Sequence, residues 1–286
     1  MTPFELAEPR TLREAVTLME ASSARASARA IAGGTALMLM MKTGVFQPTR
    51  LVSLRSVEAH YSQISTAADG ALRIGALTTL SALARSPVVK AAPVIAQTLR
   101  TLSNVRVRNV ATLGGHLAHA DPHMDLPPLM IALGAQVVTV APSASRTLAV
   151  ADLYVGYYET ALARNELIAE VIVPSQAGRR AAYLKVTTRS ADDWPTLGIA
   201  VSLRVEGGVV LDSRIVASAA TETPVRLSAA ERVLRGAAIT DELLKHCGEA
   251  AASEAQLVAD ARGSAAYKSE LLRVYAARAV RTALAQ

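Results

Sequence analysis

The chain has one cysteine, Cys247, in 286 residues. No disulfide can form within it, and no metal or cluster site built on several thiolates can be assembled from its own residues. Aromatic residues make up 3%, so the stacking platforms that hold single-stranded nucleic acid are nearly missing. The formal charge is +6, yet the arginines are scattered singly and no basic run reaches five residues. That argues against nucleic acid as a partner and fits one anionic ligand or an acidic partner surface better. No run approaches the ~18 apolar residues of a membrane span; "AIAGGTALMLMMK" is too short and ends in Lys42. The opening "MTPFELAEPR" carries acidic residues and no apolar core, unlike a secretory signal. A soluble, cytoplasmic protein without an integral membrane segment is the expectation. GxGxxG is also missing, and there is no GK[ST], so an ATPase reading has no footing.

What is present describes a well-packed globular protein: 51% hydrophobic and 19% charged residues, with length for one large or two ordinary domains. Thr11, with Glu14 three residues later, is positioned to cap a helix carrying Leu12, Ala15, Val16, Leu18 and Met19 at helical spacing. "RAIAGGTALMLMMKTG" reads as a short strand, a glycine turn, and a helix or extended segment. "TRLVSL", "ALRIGALTTL", "AQVVTVA" and "ELIAEVIVP" read as strands, "SALARSP" as a helix start, and Lys90 to about Ser103 as helical. The polar stretch Ser175 to Arg180 marks a boundary. Beyond it the pattern predicts three strands, with Gly207-Gly208 as a two-residue hairpin turn, and then a helical tail from about Pro224.

Two glycine pairs stand out, "AGGTA" (Ala32 to Ala36) and "TLGG" (Thr112 to Gly115). Each joins Gly-Gly to a threonine. Glycine lets backbone amides approach a ligand closely, and consecutive amides make a concavity suited to an anion. Two such turns are able to straddle a pyrophosphate, although each alone is first of all a tight turn. The second turn opens "TLGGHLAHADPHMDLPP", which holds three of the five histidines: His116, His119 and His123. Three imidazoles with Asp121 and Asp125 are residue types suited to zinc or non-haem iron. Against that, Pro122 and Gly114-Gly115 oppose a regular helix through all three, so only loop-borne ligands would converge.

Taken together, these segments resemble the FAD-binding medium subunits of the xanthine dehydrogenase and aerobic carbon monoxide dehydrogenase class of molybdenum hydroxylases. "AGGTALMLMMK" is similar to that family's first flavin segment. "VRNVATLGGHLAHADPHMDLPPLMIALGAQV" is similar to its more diagnostic second one, and "ELIAEVIVP" and "YLKVTTRSADDWP" to the segments that follow. The resemblance covers essentially the whole chain. It implies an α+β fold: a two-part FAD-binding domain of the vanillyl-alcohol oxidase (PCMH) type over residues 1–177, divided near residue 55. A C-terminal domain over 178–286 follows, with a small antiparallel sheet and a helical bundle.

Carried over residue by residue, the resemblance implies that Ala32, Gly33, Gly34, Thr35, Ala36 and Leu37 cradle the FAD pyrophosphate, with Thr112, Gly114 and Gly115 as the second half. Asp125 would lie near the flavin ring or its polyol chain, Ile168 and Lys185 would line the isoalloxazine, and Leu102 would touch the ring from the other side. Trp194, in the aromatic slot after Asp193, would shield one ring face or be plain core. His116, His119, Ala120 and Asp121 would fill positions that touch the cofactor, and His123 would be a surface or interface residue; no metal is then assigned. Two positions depart from the family pattern, Ala36 for the usual Asp and His116 for the usual Asn or Ser, which puts details of FAD hydrogen bonding in question. The implied role is electron relay. A large subunit would carry the molybdenum cofactor and a small one the [2Fe-2S] clusters, in a dimer of heterotrimers. A stand-alone flavin oxidoreductase and an FAD-less assembly subunit are the alternatives. Neither substrate nor electron acceptor is legible.

Overall fold

The computed structural model describes residues 2–20, 27–190 and 193–286. The chain opens with β1 (Glu5–Ala7), α1 (Leu12–Glu20), β2 (Ala28–Ile31), α2 (Leu37–Lys42) and β3 (Arg50–Ser53). The Thr11 hydroxyl oxygen accepts the Glu14 amide at 3.0 Å, and the Glu14 carboxylate reaches back to the Arg10 amide at 2.8 Å. The expected cap therefore forms, with its return bond one residue early. Leu12, Ala15, Val16 and Met19 are all buried, the apolar stripe that sets the helix on its sheet. That sheet is parallel, in the order β1-β3-β2.

The second unit contains β4 (Ile64–Thr66), β5 (Leu72–Gly75), α3 (Leu80–Arg85), α4 (Pro93–Thr101), α5 (Val105–Arg108), α6 (Leu113–Ala118) and α7 (Leu126–Leu133). It continues with β6 (Gln136–Val140), β7 (Ser145–Ala149), β8 (Tyr154–Gly156), β9 (Glu159–Thr160) and β10 (Leu167–Val173). Five of these strands form an antiparallel sheet in the order β4-β5-β10-β6-β7. Every residue of α7 is buried.

The third unit is an antiparallel meander, β11 (Arg179–Val186), β12 (Leu197–Glu206), β13 (Val209–Ser218) and β14 (Val225–Arg226), followed by α8 (Ser228–Leu234), α9 (Asp241–Glu254) and α10 (Ala265–Leu284). Gly207 and Gly208 take φ of 56° and 82°, the left-handed pair that a type I′ hairpin requires. Strand alternation explains how this sheet joins the rest. On β12, Ile199, Val201 and Leu203 face the helices of the third unit, whereas Ala200 joins the core that contains α7. Both faces are covered, so β12 is buried from Leu197 to Leu203. Gly248 allows α9 to cross α10 closely, since a Cβ there would lie 2.0 Å from the Arg273 carbonyl oxygen.

One charged cluster ties the second sheet together. The buried Glu166 carboxylate accepts two bonds from the Arg146 guanidinium (2.6 and 2.7 Å), one from the Thr139 hydroxyl (2.5 Å) and one from the Ala163 amide (2.9 Å). Burial alone would raise its pKa, but these donors hold it at about 2. A carboxylate depressed from 4.5 to about 2 adds stability that is complete above the higher value and is lost as pH falls through the lower. Acid unfolding of the wild type should therefore show a stability loss across that interval. Glu166→Gln, measured by urea titration at each pH, should start less stable and lack that part of the slope.

Candidate cofactor site

The two glycine turns meet. The first connects β2 to α2, and the second forms the start of α6, where Thr112 is the N-cap and its hydroxyl oxygen accepts the Gly115 amide at 3.2 Å. A Cβ on Gly33 would lie 2.1 Å from the Val110 carbonyl oxygen and 2.8 Å from the Ala111 Cα. A Cβ on Gly115 would sit 3.9 Å from the Ala32 Cβ, across the seam between the turns. Gly34 is left-handed at φ 68°. The first turn thus passes the Val110–Ala111 backbone at a separation that only glycine permits.

The amide accounting separates the two turns. Among the described residues, no protein acceptor meets the N–H groups of Gly33, Gly34, Thr35, Ala36 or Leu37. All five residues are half-buried. A run of shielded, unpaired donors is costly unless an anion occupies the concavity they line. The second turn differs: Leu113 donates to the Thr78 carbonyl at 3.0 Å and Gly114 to the Ala76 carbonyl at 2.7 Å. Gly114 is there for packing, because a Cβ would come 2.6 Å from that of Ala76. Of the second pair, Gly115 is the one whose exposed face borders the seam.

Asp125 and Lys185, expected as separate contacts, form one buried ion pair at 3.1 Å. Asp125 stands at the N-cap of α7 without capping it. Its other oxygen accepts the Tyr183 hydroxyl at 2.7 Å, and Lys185 also donates to the Thr101 carbonyl at the end of α4. Burial raises the Asp125 carboxyl, and Lys185 and Tyr183 only partly offset it. The α7 start is served differently. Pro127 and Pro128 bring no N–H, and the Leu126 amide donates to His116 Nε2 at 3.5 Å. Burial pushes His116 down to about 3, so its ring is a neutral acceptor and a structural cap. Leu102 and Ile168 belong to the same apolar core as α7.

The remaining histidines face other partners. His119, held low by burial, packs edge-on against Tyr158 at 5.3 Å between centroids. Asp121 is fully engaged, accepting the His123 amide (2.8 Å), the His123 ring (3.0 Å) and the Tyr158 hydroxyl (2.6 Å). His123 also meets Asp260 at 3.2 Å and stacks on Trp194. Trp194 is 48% exposed and lies outside the core. Among the described residues no three His, Cys, Asp or Glu side chains are grouped to hold a metal ion. The non-glycine residues with left-handed backbone, Ser103, Ala120, Tyr158 and Ala219, lie beside these groups. Ser103 follows Leu102 and its carbonyl accepts from Arg108; Ala219 donates to the Pro122 carbonyl at 2.9 Å. Strain of this kind persists where surrounding bonds over-determine it, commonly at ligand sites. Sequence reading missed Tyr183, Tyr158 and Asp260. Tyr183 alone left a trace, two residues before Lys185 on one strand and so on its face.

Comparison with known proteins identifies the family. Residues 2–176 match the family described as "FAD binding domain in molybdopterin dehydrogenase", and residues 182–283 the "CO dehydrogenase flavoprotein C-terminal domain". The chain belongs to the FAD-binding medium subunits of the molybdenum hydroxylases. It is similar to the carbon monoxide dehydrogenase medium chain of Hydrogenophaga pseudoflava, 33% identical over 99% of this chain and 98% of that one. Among solved structures it superimposes on carbon monoxide dehydrogenase from that organism lacking the Mo-pyranopterin moiety, with TM-score 0.94, 35% identity and coverage of 99% and 98%. It also matches quinoline 2-oxidoreductase of Pseudomonas putida 86, with TM-score 0.91, 28% identity and coverage of 99% and 97%. The α+β, FAD-binding expectation holds. The free amides and the glycine seam fit the group that this family binds.

The two glycines of the second turn should separate by experiment. Gly115→Val borders the seam and also crowds the Thr112 hydroxyl at 3.0 Å, so it should lower bound FAD at least about ten-fold for a loss of stability of about 1 kcal/mol. Gly114→Val collides with Ala76 and should cost about 3 kcal/mol of stability. Flavin content and denaturant midpoint, measured on both variants, check the distinction.

Proposed function

We propose that this chain is the electron-transferring flavoprotein subunit of a molybdenum-containing hydroxylase, taking electrons from iron–sulfur clusters on a small partner subunit and passing them to an external acceptor. The observation that carries it is the run of unpaired amides from Gly33 to Leu37, pressed by a glycine contact against the Val110–Ala111 backbone that leads into α6. In this reading residues 1–177 hold the cofactor and 178–286 close over it. The Gly33–Leu37 amides take the pyrophosphate, with Ala32 and Gly115 bordering it and the Thr112 hydroxyl beside Gly115.

The buried Lys185–Asp125–Tyr183 group ties the third unit to α4 and α7, and in this reading Leu102, Ile168 and Trp194 line the flavin ring. Lys185 presents positive charge there without being free to move, because Asp125 and the Thr101 carbonyl both hold it. His116, neutral, keeps α7 in place. His119, Ala120 and Asp121 shape the adjoining loop. FAD, when bound, accepts electrons singly and discharges them singly or in pairs, which suits a junction between clusters and a two-electron acceptor.

The chain supplies no cluster of its own. Cys247 is its one cysteine, and burial in the helical core pushes its thiol up to about 12. Molybdenum cofactor and [2Fe-2S] clusters therefore belong to large and small partner subunits, in a dimer of heterotrimers. The solved relatives are named for carbon monoxide and for quinoline, so substrate choice is assigned to the large subunit. No helix among the described residues is long and apolar enough to cross a membrane; a cytoplasmic assembly is part of this proposal.

The isolated chain reconstituted with FAD should show oxidised-flavin absorption, remain oxidised when substrate is added, and bleach only once both partner subunits and substrate are present. Substrate-dependent bleaching of the isolated flavoprotein would show that it is an oxidoreductase by itself. Absence of FAD binding would leave an assembly role.

A further inference from the structure

Near the start of α10 a lysine, Lys268, is only 1% exposed. Its ammonium lies 2.8 Å from Asp260 Oδ2 and donates to the Ala219 carbonyl at 3.2 Å. Burying an ammonium strips it of water, and an apolar side chain of that volume fills such a place at less cost. What the charge gains here is a grip on irregular backbone.

Ala219 follows β13 with φ of 64°, a conformation that strains any residue with a Cβ. Both of its backbone polar groups are engaged across elements. The carbonyl takes Lys268, and the amide donates at 2.9 Å to the Pro122 carbonyl, in the loop between α6 and α7. Ala220 beside it accepts the Val258 amide at 2.8 Å, from the link between α9 and α10. The α6–α7 loop has a left-handed corner of its own at Ala120, φ 55°, next to Asp121. Asp121 accepts the hydroxyl of Tyr158, which is left-handed at 59°. Asp260 completes the set: its Oδ2 also lies 3.2 Å from His123 Nε2, and its Oδ1 accepts the Arg262 amide at 2.8 Å. Of the four left-handed non-glycine residues among the described ones, three therefore meet in one bonded network. Strain of this kind persists only where its surroundings over-determine it. Lys268 is the buried cation on which this network closes.

We propose that Lys268 is a positioning residue for the cofactor loop: from the helical tail it holds the left-handed corner at Ala219, and through the Ala219–Pro122 hydrogen bond it fixes residues 119–125. That loop runs from the end of the cradle helix α6 to Asp125, whose carboxylate pairs with Lys185 at 3.1 Å. Slack in the loop therefore reaches both the cradle and the buried ion pair. The loop's bearing on FAD rests on the function proposed above; the strap from Lys268 to Pro122 does not.

The test uses the full chain and Lys268→Met, which keeps an unbranched side chain and removes the donor. In the flavin-free protein, hydrogen exchange read by mass spectrometry should be about ten-fold faster than wild type in the peptide spanning residues 119–125, the factor that matches the strain of one left-handed alanine. Peptides from the middle of α9 should exchange as in the wild type. The dissociation constant for FAD should rise by about the same ten-fold. Ala219→Gly removes the strain that Lys268 restrains, so Lys268→Met/Ala219→Gly should recover both values, and it carries the test if the single variant folds poorly. Wild-type exchange of the loop in Lys268→Met overturns the strap. So does a double variant that is no better than the single one or that fails to fold. Faster loop exchange with unchanged FAD affinity would overturn the loop's role at the cofactor and leave the strap standing. A wild type that binds no FAD would instead overturn the proposed function, and the exchange comparison would still decide the strap.

Discussion

Two backbones pass at Gly33 and Val110 closer than any side chain would allow. Everything else in the FAD-binding half is arranged around that approach. The first turn abuts the stretch leading into α6, and among the described residues its five amides meet no protein acceptor. The second turn provides a wall. Its own amides are spent on Thr78, Ala76 and the Thr112 hydroxyl, and that anchoring keeps the seam from closing or drifting. One turn leaves its amides without protein acceptors and the other has them bonded, although the two sequences look alike.

A second constraint is the polar seam between the FAD-binding units and the third unit. Asp125, Lys185 and Tyr183 are buried or nearly so, and each has its hydrogen bonds met. Removing any one would leave a charge or hydroxyl unpaired in a dry place, which costs far more than the pair itself contributes. Such a seam specifies how the parts sit more than it stabilises them. The Asp121–His123–Asp260–Lys268 chain repeats the device on the other side of the third unit's contact with the loop after α6.

Much of the fold was legible where local rules and packing agree. Thr11 with Glu14, the apolar stripe of α1, and Gly207-Gly208 between alternating strands each predict their element, and the element forms. The short pieces were not legible. β1 has three residues, too few to show a period, and β7 is mostly exposed, so nothing in its pattern alternates. β14 is a strand only because β13 offers it an edge. In the site, the glycine pairs, Asp125 and Lys185 were visible as a motif. Their division of labour was not, because an amide's partner is decided by what tertiary packing brings within reach.

The histidine-rich stretch shows the same limit from the other side. His116, His119 and His123 share a short segment and the residue types of a metal site. His116 caps α7 and His119 packs on Tyr158, and beyond the left-handed turn at Ala120 His123 reaches Asp260 and Trp194. By itself the sequence determined that the chain has two glycine turns able to face an anion, a helical tail, and no means of holding an iron–sulfur cluster on thiolates. Those follow from which atoms each residue carries. Only the tertiary structure decided which amides stay free, that Asp125 pairs with Lys185, and that His123 stands between two carboxylates. Each depends on groups tens of residues apart meeting at hydrogen-bond distance, and no local pattern encodes that separation.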